Sequence, residues 1–159
     1  MIRNKRKSYV ETAFTIEDYF PVKVGLNNCI ENIRYIQYEK DNLNMLEVTV
    51  NKKTNEFNRL QLVICNSYSI SEEKVTPIEN YEEGIAIFDE PEVVKTELFD
   101  VMVYQDGLSI TLERDTVVKW VKTGSVFFGL NVESELTEIK IVDVTPMVKE
   151  HIINELHQV

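Results

Sequence analysis

The sequence predicts an α+β fold that is predominantly antiparallel β, a meander and hairpins forming one curved sheet or two packed sheets, with a C-terminal amphipathic helix. Three observations predict it. Apolar and polar residues alternate at period two through the middle of the chain, Asp106-Gly107 stands between two apolar runs, and the hydrophobic period becomes helical after Thr145-Pro146. The chain has 159 residues, 43% hydrophobic, with five glycines and four prolines. That length buries a core without a metal or disulfide staple, and the apolar fraction is too high for disorder. No Gly/Ser linker divides the chain, so residues 1–159 read as one domain.

The elements follow in order. Ile33-Arg34-Tyr35-Ile36-Gln37-Tyr38 is rich in β-formers, although Cys29, Ile33 and Ile36 also fit one helical face, so residues 27–38 read as strand or helix. Leu46, Val48 and Val50 alternate with Glu47 and Thr49. After a polar turn, Asn51 to Asn55, Leu60, Leu62 and Ile64 alternate with Arg59, Gln61 and Val63, completing a meander over about residues 32–65. The acidic connection 71–100 reads as partly irregular, with Glu83 to Phe88 as a single strand.

A second β region covers about residues 97–144. Asp-Gly between apolar runs signals a two-residue type I′ turn, which pairs Gln105 with Leu108, Val103 with Ile110 and Val101 with Leu112. That register puts Val101, Val103, Leu108, Ile110 and Leu112 on one face. Val117 to Val121 and Val126 to Leu130 form the next hairpin around Thr123-Gly124, and Leu136 to Val144 returns after a polar Asn131 to Glu135 turn. Thr145 is an N-cap with Pro146 at the first helical position. Val148, Ile152, Leu156 and Val159 then share a stripe, widened by Ile153, giving a helix over 146–157 packed on the sheet.

The formal net charge of −10 argues against a general nucleic-acid binder, which needs clustered Lys and Arg. Residues 1–8 carry +4 from Arg3, Lys5, Arg6 and Lys7, so the rest carries −14, and residues 71–100 alone carry −8. The basic start reads as a frayed, solubilising terminus. It is not followed by the apolar run of a signal peptide, and no apolar run approaches a membrane span. Cys29 and Cys65 lie outside any Cys-x-x-Cys arrangement and read as two reduced thiols. A soluble cytoplasmic protein is expected.

Catalytic chemistry has little to attach to. His151 and His157 are six apart, on different sides of the predicted helix, and read as surface residues rather than a metal pair. No Gly-x-Ser-x-Gly and no glycine-rich phosphate loop is present. A carboxylate pair of the glycosidase kind has no locating signal among 27 acids, and Trp120, Phe127 and Phe128 fit core strands better than a stacking platform. No enzyme activity, cofactor or metal is expected.

The run from Asp100-Val101-Met102-Val103-Tyr104 through Asp106-Gly107-Leu108-Ser109-Ile110 to Phe128-Gly129-Leu130 and Ile139-Lys140-Ile141-Val142-Asp143 resembles small bacterial β-hairpin modules. The whole plan, small, acidic, β-rich and closed by a helix, is similar to bacterial immunity proteins of contact-dependent and other polymorphic toxin systems. The resemblance implies neutralisation of a toxin domain and transfers no site residue. Physically, a basic toxin groove is met fastest by concentrated carboxylates. The expected partner-binding residues are therefore Glu72, Glu73, Glu79, Glu82, Glu83, Asp89, Glu90 and Glu92. The alternative expectation is a small-ligand-binding protein or enzyme, with an aromatic pocket between sheet and C-terminal helix lined by Tyr104, Trp120 and Phe128.

Overall fold

Half-buried strands with one apolar side must be covered on that side, and two sheets facing each other are the simplest cover. The computed structural model describes residues 1–28 and 31–157. In chain order the strands are β1 (Ile2–Arg6), β2 (Thr12–Phe14), β3 (Val22–Leu26), β4 (Ile33–Lys40), β5 (Asn44–Asn51), β6 (Phe57–Ile64) and β7 (Tyr68–Ile70). They continue as β8 (Glu82–Phe88), β9 (Val93–Lys95), β10 (Asp100–Val103), β11 (Leu108–Thr111), β12 (Lys119–Thr123), β13 (Val126–Leu130) and β14 (Leu136–Ile141), before helix α1 (Pro146–His157). An eight-stranded sheet runs β1-β8-β12-β13-β14-β11-β10-β7, and a six-stranded sheet runs β2-β3-β6-β5-β4-β9. Most pairings are antiparallel; β7–β10, β8–β12 and β4–β9 are parallel.

The alternation places one core between the sheets. Val22, Val24, Ile36, Leu46, Val48, Val50, Leu60 and Leu62 point in from the six-stranded sheet, and Val101, Val103, Ile110, Val121, Phe128, Ile139 and Ile141 from the eight-stranded sheet. Phe57 of one sheet meets Phe88 and Phe128 of the other at ring-centroid distances of 6.2 and 5.3 Å. Phe88 and Phe128 close the triad edge to face at 5.2 Å. At the sheet corner, Phe88 N–H donates to Asn55 O and the Arg34 guanidinium donates to Asn55 Oδ1, Phe88 O and Glu90 O. One side chain thus satisfies carbonyls that the turn between β8 and β9 leaves without ladder partners.

The meander is β4, β5 and β6, and the helical alternative for residues 27–38 gives way to strand β4; Cys29, and with it the thiol-pair reading, lies outside the described residues. The Asp106-Gly107 register is corrected. Val103 pairs with Leu108 and Val101 with Ile110, two residues from expectation, around a four-residue loop in which Tyr104 N–H donates to Gly107 O. A shift of two keeps every side chain on its face, so Val101, Val103, Leu108, Ile110 and Leu112 are buried as the pattern required. Tertiary bonds hold the wider loop: Val75 N–H donates to Asp106 Oδ1, and Val144 N–H to Asp106 O. The tight hairpin forms instead between β12 and β13. Thr123 pairs with Val126, and Gly124 alone takes a positive φ of 61°, the pattern of a type II′ turn.

The basic start is also corrected. Rather than fraying, residues 2–6 form β1, antiparallel to β8, with Ile2 buried in the core. Helix α1 begins as expected, with Val148 N–H donating to Thr145 Oγ1, and buries Ile152 and Leu156; Val159 lies outside the described residues. It docks through polar bonds as well: Glu155 Oε2 accepts from Tyr19 N–H, and His151 Nε2 lies 3.0 Å from Phe20 O.

Candidate binding surfaces

The eight carboxylates expected to bind a partner do not share one surface. Glu82 and Glu83 sit at the start of β8, whose parallel neighbour β12 brings Lys119 to 3.0 Å from Glu82 and Lys122 to 3.6 Å from Glu83. Arg6 adds a second cation 3.5 Å from Glu82. The Lys119 hydrogen bond, helped by Asn4 and Arg6, holds the Glu82 carboxyl below its usual range. At the far end of β8, Asp89 accepts from Arg3 at 2.8 Å and Glu90 from the Met1 ammonium at 2.7 Å. The Arg3 and Asn55 hydrogen bonds hold Asp89 low as well. Glu72 and Glu73 are exposed beside the Tyr104–Gly107 loop, Glu79 lies in a cleft with Tyr81 and Trp120, and Glu92 borders β9 of the other sheet.

Another set of acids converges, of which only Glu97 belongs to the acidic stretch 71–100. Glu97 precedes β10, Glu113 and Asp115 follow β11, and Glu133 and Glu135 lie in the β13–β14 turn, all at the end of the eight-stranded sheet opposite α1. Main-chain bonds fix them: Glu97 Oε1 accepts from Arg114 N–H, and Glu113 Oε1 from Glu97 N–H. Buried Asn131 organises the turn, its Oδ1 accepting the Glu133 and Glu135 amides and its Nδ2 donating to Asp115 and Glu135. Burial, then the charges of Glu97, Glu135 and Asp115, push Glu113 up. A shared hydrogen bond with Glu135, then its charge, pushes Glu133 up. Among the described residues no Lys or Arg forms an ion pair with these five. Val132, 80% exposed, stands at the tip of the same turn, and Val118, 61% exposed, precedes β12 alongside it.

The outer face of the six-stranded sheet forms a polar groove of about 770 Å³. Two cross-strand rows make its floor: Ala13, Gly25, Arg59, Thr49 and Tyr35, then Lys23, Gln61 and Glu47. A Cβ on Gly25 would lie 2.4 Å from Asn58 O, so only glycine lets β3 approach β6 there, and the floor beside Arg59 carries no side chain. A bulge in β6 sets Asn58 between core-facing Phe57 and outward Arg59, and its Nδ2 donates to Asn28 Oδ1 at 2.6 Å. Gln61 Nε2 donates to Glu47 Oε1 at 2.9 Å, while burial pushes the Glu47 carboxyl up. Lys23 is held between the Glu17 carboxylate and the Phe20 ring. Phe20 closes a turn in which Tyr19 takes a φ of 74° and is 82% exposed, a strained conformation anchored by α1 through Glu155.

The expected aromatic pocket does not assemble. Phe128 pairs with Val121 and faces the core, whereas Trp120 pairs with Gly129 and lies on the outer face against Phe127, and Tyr104 sits in the loop at the other end of the sheet. Trp120 lies so close over Gly129 that an added Cβ would fall 2.8 Å from its ring. Cys65 is buried, donates to Ser67 O, and is pushed up to about 11 by burial.

Sequence reading missed both surfaces for physical reasons. The five acids are spread over 39 residues of chain and meet only through loop folding. The groove residues were visible as polar partners in the alternation, but nothing in period two separates a solvated face from a cupped one. Among the described residues, no helix is long and apolar enough to cross a membrane. No protein-family model and no curated protein matches this chain.

Proposed function

We propose that this chain is a non-catalytic protein-binding module of the immunity type, which neutralises a basic partner through the carboxylate-rich end of its eight-stranded sheet. The observation that carries this reading is the uncompensated set Glu97, Glu113, Asp115, Glu133 and Glu135, held together by main-chain and Asn131 bonds although like charges repel. Such an arrangement stores repulsion that a cationic partner relieves, and it steers association. Exposed Val132 and Val118 beside the acids supply the apolar contact that a solubilising face lacks. The contact surface thereby moves away from most of residues 71–100, whose β8 carboxylates already face internal cations.

The test is capture of the partner from native lysate, followed by its dissociation constant at low and physiological salt for two variants. Glu133→Lys/Glu135→Lys and Glu72→Lys/Glu73→Lys change the net charge equally, but at opposite ends of the sheet. Close interfacial charge pairs couple by about 1.5 kcal/mol or more each, so the first variant should weaken binding by roughly a hundredfold while the second loses only long-range steering. Equal weakening, an acidic partner, or no specific partner at all would sink the reading.

A further inference from the structure

The groove of the six-stranded sheet carries a second, independent inference. Its floor is rigid strand, and it spans from β2 to β4, four strand spacings of about 4.8 Å or roughly 19 Å, the reach of a short saccharide. One cation of the groove is spent internally, since Lys23 is paired with Glu17. Arg59 is the exception. It is half-buried at the centre of the floor, beside the open patch of Gly25 and Ala13, and makes no ion pair or side-chain hydrogen bond among the described residues. A planar fork of five donors in that setting matches a carboxylate.

Around Arg59 stand neutral groups that both donate and accept. Gln61 and Asn58 are positioned by Glu47 and Asn28, Thr49 is the cross-strand neighbour of Arg59, and the second oxygen of Glu47 is an open acceptor. Vicinal hydroxyls, each a donor and an acceptor, satisfy such a set, whereas a bare apolar acid leaves it unmet. Phe20 on the β3 side and Tyr35 on β4 offer aromatic walls for C–H faces. Glu17 and Glu47 in the same groove disfavour a phosphate dianion.

We propose that this groove binds a carboxylated, hydroxyl-rich ligand, a uronic acid or a short saccharide carrying one, with Arg59 gripping the carboxylate and Glu47, Gln61 and Asn58 reading the hydroxyls. The chain would thus hold a glycan site at a distance from its acidic end.

The experiment is a titration of the full, ¹⁵N-labelled chain with D-glucuronate and trigalacturonate, against D-glucose, acetate, inorganic phosphate and an acidic peptide, followed at the amides of Gly25, Thr49, Arg59 and Gln61. The two sugar acids should shift these amides at concentrations at least tenfold below those needed for glucose or acetate. Arg59→Gln should weaken the response about tenfold with the thermal midpoint unchanged, and Arg59→Lys should recover part of it. No shift with either sugar acid, equal response to acetate, or tighter binding of phosphate or peptide would each overturn the assignment. So would undiminished binding by Arg59→Gln, since that variant removes the anchor without touching the core.

Discussion

Two acid-rich regions of this molecule have opposite fates. Along β8 and the residues after it, Glu82, Glu83, Asp89 and Glu90 face Lys119, Lys122, Arg3 and the Met1 ammonium, because β1 and β12 are the strands that flank β8. At the end opposite α1, Glu97, Glu113, Asp115, Glu133 and Glu135 gather with no such partners among the described residues, and their company helps to raise the carboxyls of Glu113 and Glu133. The first region was conspicuous in the sequence and is largely neutralised by the fold. The second was dispersed in the sequence and is concentrated by it. Charge density along a chain therefore reports surface potential only after strand order is known, since neighbours in a sheet come from distant segments.

The strongest way to break the comparison is to remove β1 from β8. Gly84 is buried where β1 crosses, and a Cβ there would fall 2.1 Å from Asn4 Oδ1 and 2.3 Å from Lys5 O. Backbone cannot yield as a side-chain tip can, so Gly84→Val should cost about 3 kcal/mol, the upper end of ordinary overpacking. Chemical denaturation measures it, and a cost under about 1 kcal/mol would mean that β1 is dispensable. The β12 flank is next. Thr123 is fully buried, its hydroxyl donating to Gly84 O at 2.7 Å and accepting from Ala86 N–H at 3.2 Å. Thr123→Val preserves the shape and orphans both groups, so a loss of about 2 kcal/mol is expected. Wild-type stability in that variant would show that β8 and β12 do not need this bridge.

The same contrast explains what was legible. The meander, the strand within 82–88, the buried face of the 101–112 hairpin and helix 146–157 were readable because each carries its own periodicity or cap. The hairpin register was not, because a slip of two preserves the face pattern and the bonds that select the wider loop come from Glu73, Val75 and Val144, remote in sequence. Strand β1 was hidden by four basic residues; its assignment depends on Ile2 and on acidic β8, 80 residues later. Short β2, β7 and β9, three residues each, are too brief to show alternation and exist through pairing alone. Of the expected partner surface, the residue types were readable and the location was not.

A milder test concerns the ion pairs themselves. Arg3 and Asp89 are 56% and 37% exposed, so a double-mutant cycle with Arg3→Gln and Asp89→Asn should return only about 0.5 kcal/mol of coupling. A coupling above about 2 kcal/mol would show that electrostatics, rather than ladder bonds and Ile2 burial, hold β1 in place. The expected small value agrees with the large cost assigned to Gly84→Val, because that substitution attacks backbone pairing and leaves the charges intact.

The smallest effect sharpens the comparison through pH. Asp89 and Glu82 are held below their ordinary values of 3.8 and 4.5, chiefly by hydrogen bonds from Arg3 and Lys119. Their stabilisation is present above the unfolded values and is lost as pH falls through the lowered folded ones. Glu113 and Glu133 are raised above 4.5, the first mainly by burial and the second mainly by its hydrogen bond with Glu135. For them the sign reverses: the charged form is disfavoured in the fold, so stability rises as pH falls through the raised values and the gain is complete below 4.5. Acidification from neutrality should therefore first relieve the end opposite α1 and only later loosen β8. Carboxyl NMR should record Glu113 and Glu133 protonating before Glu82 and Asp89, and the thermal midpoint should pass through a shallow maximum on the acid side of neutrality. Glu113→Gln should flatten the rising limb and leave the falling limb unchanged. If Asp89 protonates first, the carboxylates after β8 are not the neutralised set, and the division between the two acidic regions is wrong.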